Sequence, residues 1–127
     1  MKSAASSVDY TLRKQSILRD FHCGRLSRYD VCDAHPEIKR IAKNVGEKTR
    51  SDCPICGREK LRLLNFVFGE RLGNDNGRVF PTAAIFNGLR EKYAPFTCYV
   101  VEVCIGCNWN QLIRSMSFEK WGGKANV

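Results

Sequence analysis

Histidine is scarce in this sequence: His22 and His35 are the only two among 127 residues. No serine, histidine and acid set stands out, and no carboxylates are paired at a suggestive spacing, so the usual signatures of nucleophilic and general acid–base chemistry are missing. Neither a G-x-x-x-x-G-K nor a G-x-G-x-x-G run occurs, which removes the familiar phosphate-cradling loops. Long apolar runs are also absent. The stretches at residues 66–68 and 98–101 fall far short of the ~20 residues that a membrane-spanning helix needs. The first residues lack the apolar stretch of a secretory signal, so the expected location is the cytoplasm. Acidic residues are outnumbered, 13 against 21 lysines and arginines, for a formal net charge of +8. Such a balance draws the chain toward phosphate backbones or acidic protein faces.

Cysteine, by contrast, is plentiful, with seven thiols in the chain. An odd number in an expected reducing compartment argues against a disulfide framework and for metal ligation. Cys53-Pro54-Ile55-Cys56-Gly57 and Cys104-Ile105-Gly106-Cys107-Asn108 are two C-x-x-C knuckles. Each wraps a tight turn that aims two sulfurs at one point, and Gly57 and Asn108 tolerate the backbone twist that follows. Together Cys53, Cys56, Cys104 and Cys107 supply the four thiolates of one structural, tetrahedral Zn2+ site. The competing reading, a redox dithiol, expects a strand running into a helix in a βαβ unit. Both pairs instead flank strand-like sequence.

Three cysteines remain. Cys98 falls in an apolar, β-rich run, where a small buried thiol is the ordinary role. Cys32 and His35 form a C-x-x-H that with Cys23 and His22 makes a possible second metal site; packing or helix capping is the plainer reading.

The first fifty residues carry eleven basic and six acidic side chains and read as helical. Asp9 is positioned to cap a helix running to about Cys23, with Tyr10, Ile17, Leu18 and Phe21 on one face and Gly24 as its stop. Ser27 and Asp30 have the form of a capping box, and Pro36 suits the first position of a helix ending near Gly46. Beyond residue 50 the pattern changes. Residues 61–68 and 96–103 are apolar at both parities, the mark of strands covered on both faces. Residues 69–77 read as a turn or loop, residues 82–93 as a helix weakened by Gly88, and residues 109–118 as a last strand or hairpin.

The expected fold class is therefore α+β. A zinc ribbon with a three-stranded antiparallel sheet and an inserted helix occupies residues 51–119. A basic helical segment over residues 1–50 packs on it, and a flexible tail covers 120–127. The inserted helix is expected on one sheet face and the N-terminal helices on the other.

The blocks at residues 10–14, 30–37, 44–47 and 96–104, in this order around both C-x-x-C pairs, resemble a small family of actinobacterial proteins of unassigned function. The likeness spans residues 10–115. It implies a bacterial cytosolic protein of zinc-ribbon type and no particular activity.

Four thiolates fill a zinc shell and leave no position for water or substrate, so no enzymatic activity is expected. Glu59, Glu70 and Glu102 read as surface or loop carboxylates. Binding is the better class. One candidate surface comprises Arg13, Lys14, Arg19, Arg25, Arg28, Lys39, Arg40 and Lys43 on the helices. The other comprises Arg58, Arg62, Trp109 and Arg114 on the ribbon, with packing on the second knuckle as the plainer role for Trp109. The expected partner is RNA polymerase or another nucleic-acid machine, with DNA or RNA bound directly as the alternative. Neither a membrane nor a small-molecule substrate is expected. Zinc ribbons recur in both nucleic-acid settings, so the preference for polymerase is an analogy.

Overall fold

The two segments that are apolar at both parities lie side by side within one antiparallel sheet. The structure is a computed structural model that describes residues 5–119. In chain order its elements are β1 (Ala5–Asp9), α1 (Thr11–His22), α2 (Arg28–Val31), α3 (Pro36–Val45), β2 (Glu47–Asp52), β3 (Lys60–Phe68), a 3-10 segment (Glu70–Asp75), α4 (Thr82–Ala84), a π-helical segment (Ile85–Leu89), α5 (Arg90–Tyr93), β4 (Phe96–Val103) and β5 (Asn110–Phe118). The flexible tail expected at 120–127 lies outside the described residues. No helix among the described residues is long and apolar enough to cross a membrane.

Five strands, not three, make the sheet, in the order β1-β5-β4-β3-β2. The two additional strands are the edges, and both are polar and mostly exposed. Ala5 through Asp9 run antiparallel to the end of β5, from Ala5 opposite Phe118 to Asp9 opposite Arg114. On the other edge β2 pairs with the start of β3, with Asp52 opposite Lys60. The first and last strands among the described residues are thus neighbours.

The helices start where local chemistry dictates. Ser27 and Asp30 form a full capping box at α2, each satisfying the other's backbone N–H. His35 caps α3 by accepting the Glu37 N–H at 3.0 Å on Nδ1, and Pro36 takes the first position, where no N–H is needed. Asp9 ends β1 rather than occupying the N-cap of α1, which is Tyr10, although its carboxylate still accepts the Thr11 N–H at 2.7 Å. The helix expected over residues 82–93 is present, with a π-helical segment around Gly88.

Sheet register separates the two faces. Leu63 opposes Glu102, Asn65 opposes Val100 and Val67 opposes Cys98, so these share a face. The segments from α4 to α5 cover its far part, where Ile85 and Leu89 join Val67, Phe96, Cys98, Val100 and Phe118 in one core. Helix α1 covers the near part of the same face, where Leu61 and Trp109 meet Ile17, Leu18 and Phe21. The opposite face, carrying Leu64, Val101 and Val103, is covered by α3 through Ile38, Ile41 and Ala42. The N-terminal helices therefore divide between the faces instead of sharing one. A register irregularity lies between β4 and β5, where Val100 opposes Arg114 but Val101 opposes Leu112. The intervening Ile113 carbonyl accepts the Tyr10 N–H at 3.0 Å and holds the start of α1 against β5.

Candidate metal centre

The two knuckles are built alike. The Gly57 N–H donates to the Cys53 carbonyl at 2.9 Å, and the Asn108 N–H donates to the Cys104 carbonyl at 3.1 Å. Both residues have positive φ, 67° at Gly57 and 74° at Asn108, as the twist after each C-x-x-C requires. The first knuckle closes onto the start of β3 and the second onto β5, through Cys53 N–H to the Glu59 carbonyl and Cys104 N–H to the Trp109 carbonyl, both 2.8 Å. At the second knuckle a side chain on Gly106 would run into Glu59 Cγ at 2.8 Å, so glycine lets the two turns approach.

This pairing brings the sulfurs of Cys53, Cys56, Cys104 and Cys107 together, all within 4.8 Å of one another. Cys53 and Cys107 sulfurs are 3.6 Å apart, and those of Cys56 and Cys104 are 3.7 Å apart. Cys53 and Cys104 are buried while Cys56 and Cys107 are half-buried. Backbone N–H groups of Ile55, Gly106 and Cys107 point at sulfur, each at 3.4 Å. A donor set of four sulfurs fed by N–H groups is compatible with a metal ion.

Burial raises the thiols of Cys53 and Cys104, and pushes Cys107 up to about 12. Cys56 is also penalised by burial, but the backbone N–H groups of Arg58 and Glu59, with the neighbouring thiols, outweigh that and bring it down to about 7. A bound cation would favour the thiolate form of all four.

Beneath the knuckles lies a polar group that the sequence misrepresents. Glu102 is buried, not on a surface or loop. Its carboxylate accepts Trp109 Nε1–H at 2.9 Å and pairs with Lys14 Nζ at 2.7 Å. This triad fastens α1 to the second knuckle. It also takes two residues out of the candidate binding surface, since Trp109 is fully buried and Lys14 is spent on Glu102.

The other sequence-predicted residues fall as follows. Arg62 donates to the Lys43 carbonyl at 3.1 Å and so closes the end of α3. Arg40 pairs with Glu37, and Arg25 with Asp20 at 3.3 Å. Arg13, Arg19, Lys43 and Arg58 are exposed and make no ion pair among the described residues, and Arg114 is exposed on β5 opposite Asp9. Lys39 is half-exposed on α3. Arg28 of α2 and Arg58 of the first knuckle line one surface cavity of about 230 Å³ together with Cys56, Glu59, Gly106 and Cys107. Cys98 is fully buried, and that burial raises its thiol to about 11.

The second metal set is not assembled. Cys23 is exposed with its sulfur 3.7 Å from the Asp20 carbonyl, and His22 lies edge-on to Phe21. His35 is committed to capping, while Cys32 sits beside Cys107 at a sulfur separation of 3.4 Å. No feature of the local sequence around Cys32 signals that contact.

The whole-chain comparisons agree with one another. A protein of Mycobacterium bovis and proteins of two Mycobacterium tuberculosis strains, all uncharacterised, are 44% identical to this chain over 108 residues, covering 85% of this chain and 78% of theirs. No solved structure matches it. A family model described as a family of unknown function, DUF5318, matches residues 1–125. The chain belongs to the DUF5318 family.

Proposed function

We propose that this is a non-enzymatic binding protein whose knuckle end is held together by one structural zinc ion and whose cationic surface docks on the transcription machinery, with RNA polymerase as the partner. The four-thiol cluster carries the reading. Zinc–sulfur bonds of ~2.3 Å in a tetrahedron put the sulfurs roughly 3.8 Å apart. The separations of 3.6 and 3.7 Å between paired thiols fit that geometry. Sulfur-only tetrahedral sites favour zinc or iron, and a filled shell favours a structural role over a catalytic one.

For the docking surface, the support is the meeting of Arg28 and Arg58 across α2 and the first knuckle. Tyr29 is 90% exposed beside them, and Leu12 on α1 is 81% exposed. Arginine and tyrosine are preferred anchors in protein interfaces. The burial of Trp109 removes the aromatic that stands beside the knuckle arginines as a candidate for base stacking and favours a protein groove over direct nucleic-acid binding. The choice of polymerase rests on the recurrence of zinc ribbons in transcription proteins.

Elemental analysis of the purified chain should find zinc at one ion per chain. Affinity capture from nuclease-treated lysate at moderate salt should retain polymerase subunits near stoichiometry, and Arg28→Glu with Arg58→Glu should lose them. Partners that vanish with nuclease would replace this reading with direct nucleic-acid binding, whose affinity falls steeply with salt.

A further inference from the structure

The residues after α2 are pinned to the second knuckle. The Ala34 N–H donates to the Asn108 carbonyl at 3.0 Å, and Asn110 Nδ2 donates to Asp33 Oδ1 at 2.9 Å. These bonds deliver a fifth thiol to the four. Cys32 Sγ stands 3.4 Å from Cys107 Sγ, nearer than Cys53 at 3.6 Å. Yet Cys32 is not one of the mutually close set, and four sulfurs already complete a tetrahedral shell. As a ligand it is surplus.

Its surroundings point to another use. Cys32 and Cys107 both line an open cavity of about 380 Å³ with Arg28, Tyr29 and Asn108. Cys107 also lines the 230 Å³ cavity. Among the four clustered thiols, Cys107 is therefore the one reached from both cavities, and Cys32 is the thiol waiting beside it.

We propose that Cys32 and Cys107 are an oxidation-sensitive pair, in which a small peroxide joins the two sulfurs and removes one thiolate from the metal centre. This rests on the metal reading given above. In the first step the Cys107 sulfur attacks one peroxide oxygen, forming an S–O bond as the O–O bond breaks. The product is a sulfenic acid, and the departing hydroxide leaves as water after taking up a proton. In the second step Cys32 attacks the Cys107 sulfur, an S–S bond replaces the S–O bond, and the hydroxyl leaves as water with the Cys32 proton. Two thiols lose two electrons, and one hydrogen peroxide becomes two waters. Three clustered thiols remain, too few for the closed site, so the ion is released.

The test exposes zinc-loaded protein, and separately protein stripped of metal, to equimolar hydrogen peroxide. Alkylation quenches the reaction, mass spectrometry maps the disulfides, and a chromogenic chelator counts released zinc. A Cys32–Cys107 link should be the main early product in the zinc-loaded form, where the ion would hold Cys107 as thiolate, with zinc released in proportion to it and recovered after dithiothreitol. Cys32→Ser should keep its zinc stoichiometry and release the ion at least about 10-fold more slowly, because the next thiol, Cys53 at 3.6 Å from Cys107, is itself tied up in the metal set. Cys32→Ala checks that serine itself does not disturb the turn, and Cys23→Ser should match the parent. A main link between other thiols overturns the proposal. So does Cys107 oxidised while Cys32 stays free, or a Cys32→Ser variant that loses zinc as fast as the parent. A chain that takes up no zinc overturns the metal reading and the release step, while the disulfide map of the stripped protein, taken after thiol–disulfide exchange has equilibrated, still decides the pairing.

Discussion

The two ends of the sheet are stabilised by different physics. At the far end Phe118 stacks on Phe96 with ring centroids 4.8 Å apart and meets Phe86 edge-on at 5.6 Å. Val67, Leu72, Ile85 and Leu89 fill the space around them. Removing that apolar area from water is driving force enough. At the knuckle end the buried apolar set is smaller, chiefly Val31, Leu61 and Trp109, and it shares its space with thiols and a carboxylate. Buried polar groups cost free energy unless they are paired. Glu102 is paired through Lys14 and Trp109, whereas the four thiols contact one another and backbone N–H groups in a cluster compatible with a metal ion. One sheet thus joins a region that packing alone can hold to one whose thiol cluster is compatible with a metal ion.

The sharpest way to break this comparison is to remove one thiol. Cys104→Ser should lower metal affinity by more than about 100-fold, beyond the change expected from an outer-shell residue. Because metal binding and folding are coupled, amide protection should collapse around residues 53–61 and 104–110 and persist at residues 96–100. Uniform protection in the variant would show that the knuckle end does not depend on the ion. The reverse experiment is Phe118→Ala, which should cost about 3–5 kcal/mol in chemical denaturation, through lost burial and the cavity left behind. Zinc stoichiometry should be unchanged, and loss of the metal would mean that the two ends are one cooperative unit.

Glu102→Gln tests the fastening between α1 and the knuckle. The amide can still accept from Trp109 but no longer neutralises Lys14, so a loss of about 1–3 kcal/mol is expected, with α1 amides exchanging faster than those of β4. The smallest effect concerns Asp30, whose carboxyl is held below its ordinary value of 3.8 by the backbone N–H and hydroxyl of Ser27. A depressed carboxyl stabilises fully above the ordinary value and loses that contribution as pH falls through the lowered one. Chemical shifts of the Ser27 and Asp30 amides should follow that acid titration, and Asp30→Asn should abolish it without moving the far core.

Local chemistry made much of this fold legible. β3 and β4 were readable because sheet interiors demand apolar side chains at both parities, and α3 because Pro36 and the 3.6-residue period agree. The C-x-x-C spacing pointed to the thiol cluster for a similar reason, since each knuckle is a local turn. The edge strands were not readable. Ala5–Asp9 and Glu47–Asp52 carry no alternation of apolar residues and become strands by hydrogen bonding to neighbours distant in sequence. Glu102 was equally opaque: a carboxylate between valines reads as an exposed residue unless its partners, 88 and 7 positions away, are known, whereas packing on the second knuckle, the plainer role for Trp109, is what the structure shows.

Sequence alone therefore determined what depends on neighbours in the chain: the two knuckles, the caps of α2 and α3, the inner strands and the excess of positive charge. Tertiary structure decided which distant groups meet. It closed β1 against β5, divided the N-terminal helices between the faces, buried the Lys14–Glu102–Trp109 triad and set Cys32 against Cys107. The physical reason is that turns, caps and periodic faces arise from interactions a few residues long. Contacts across 75 or 88 positions exist only once the sheet has fixed the register that brings them together.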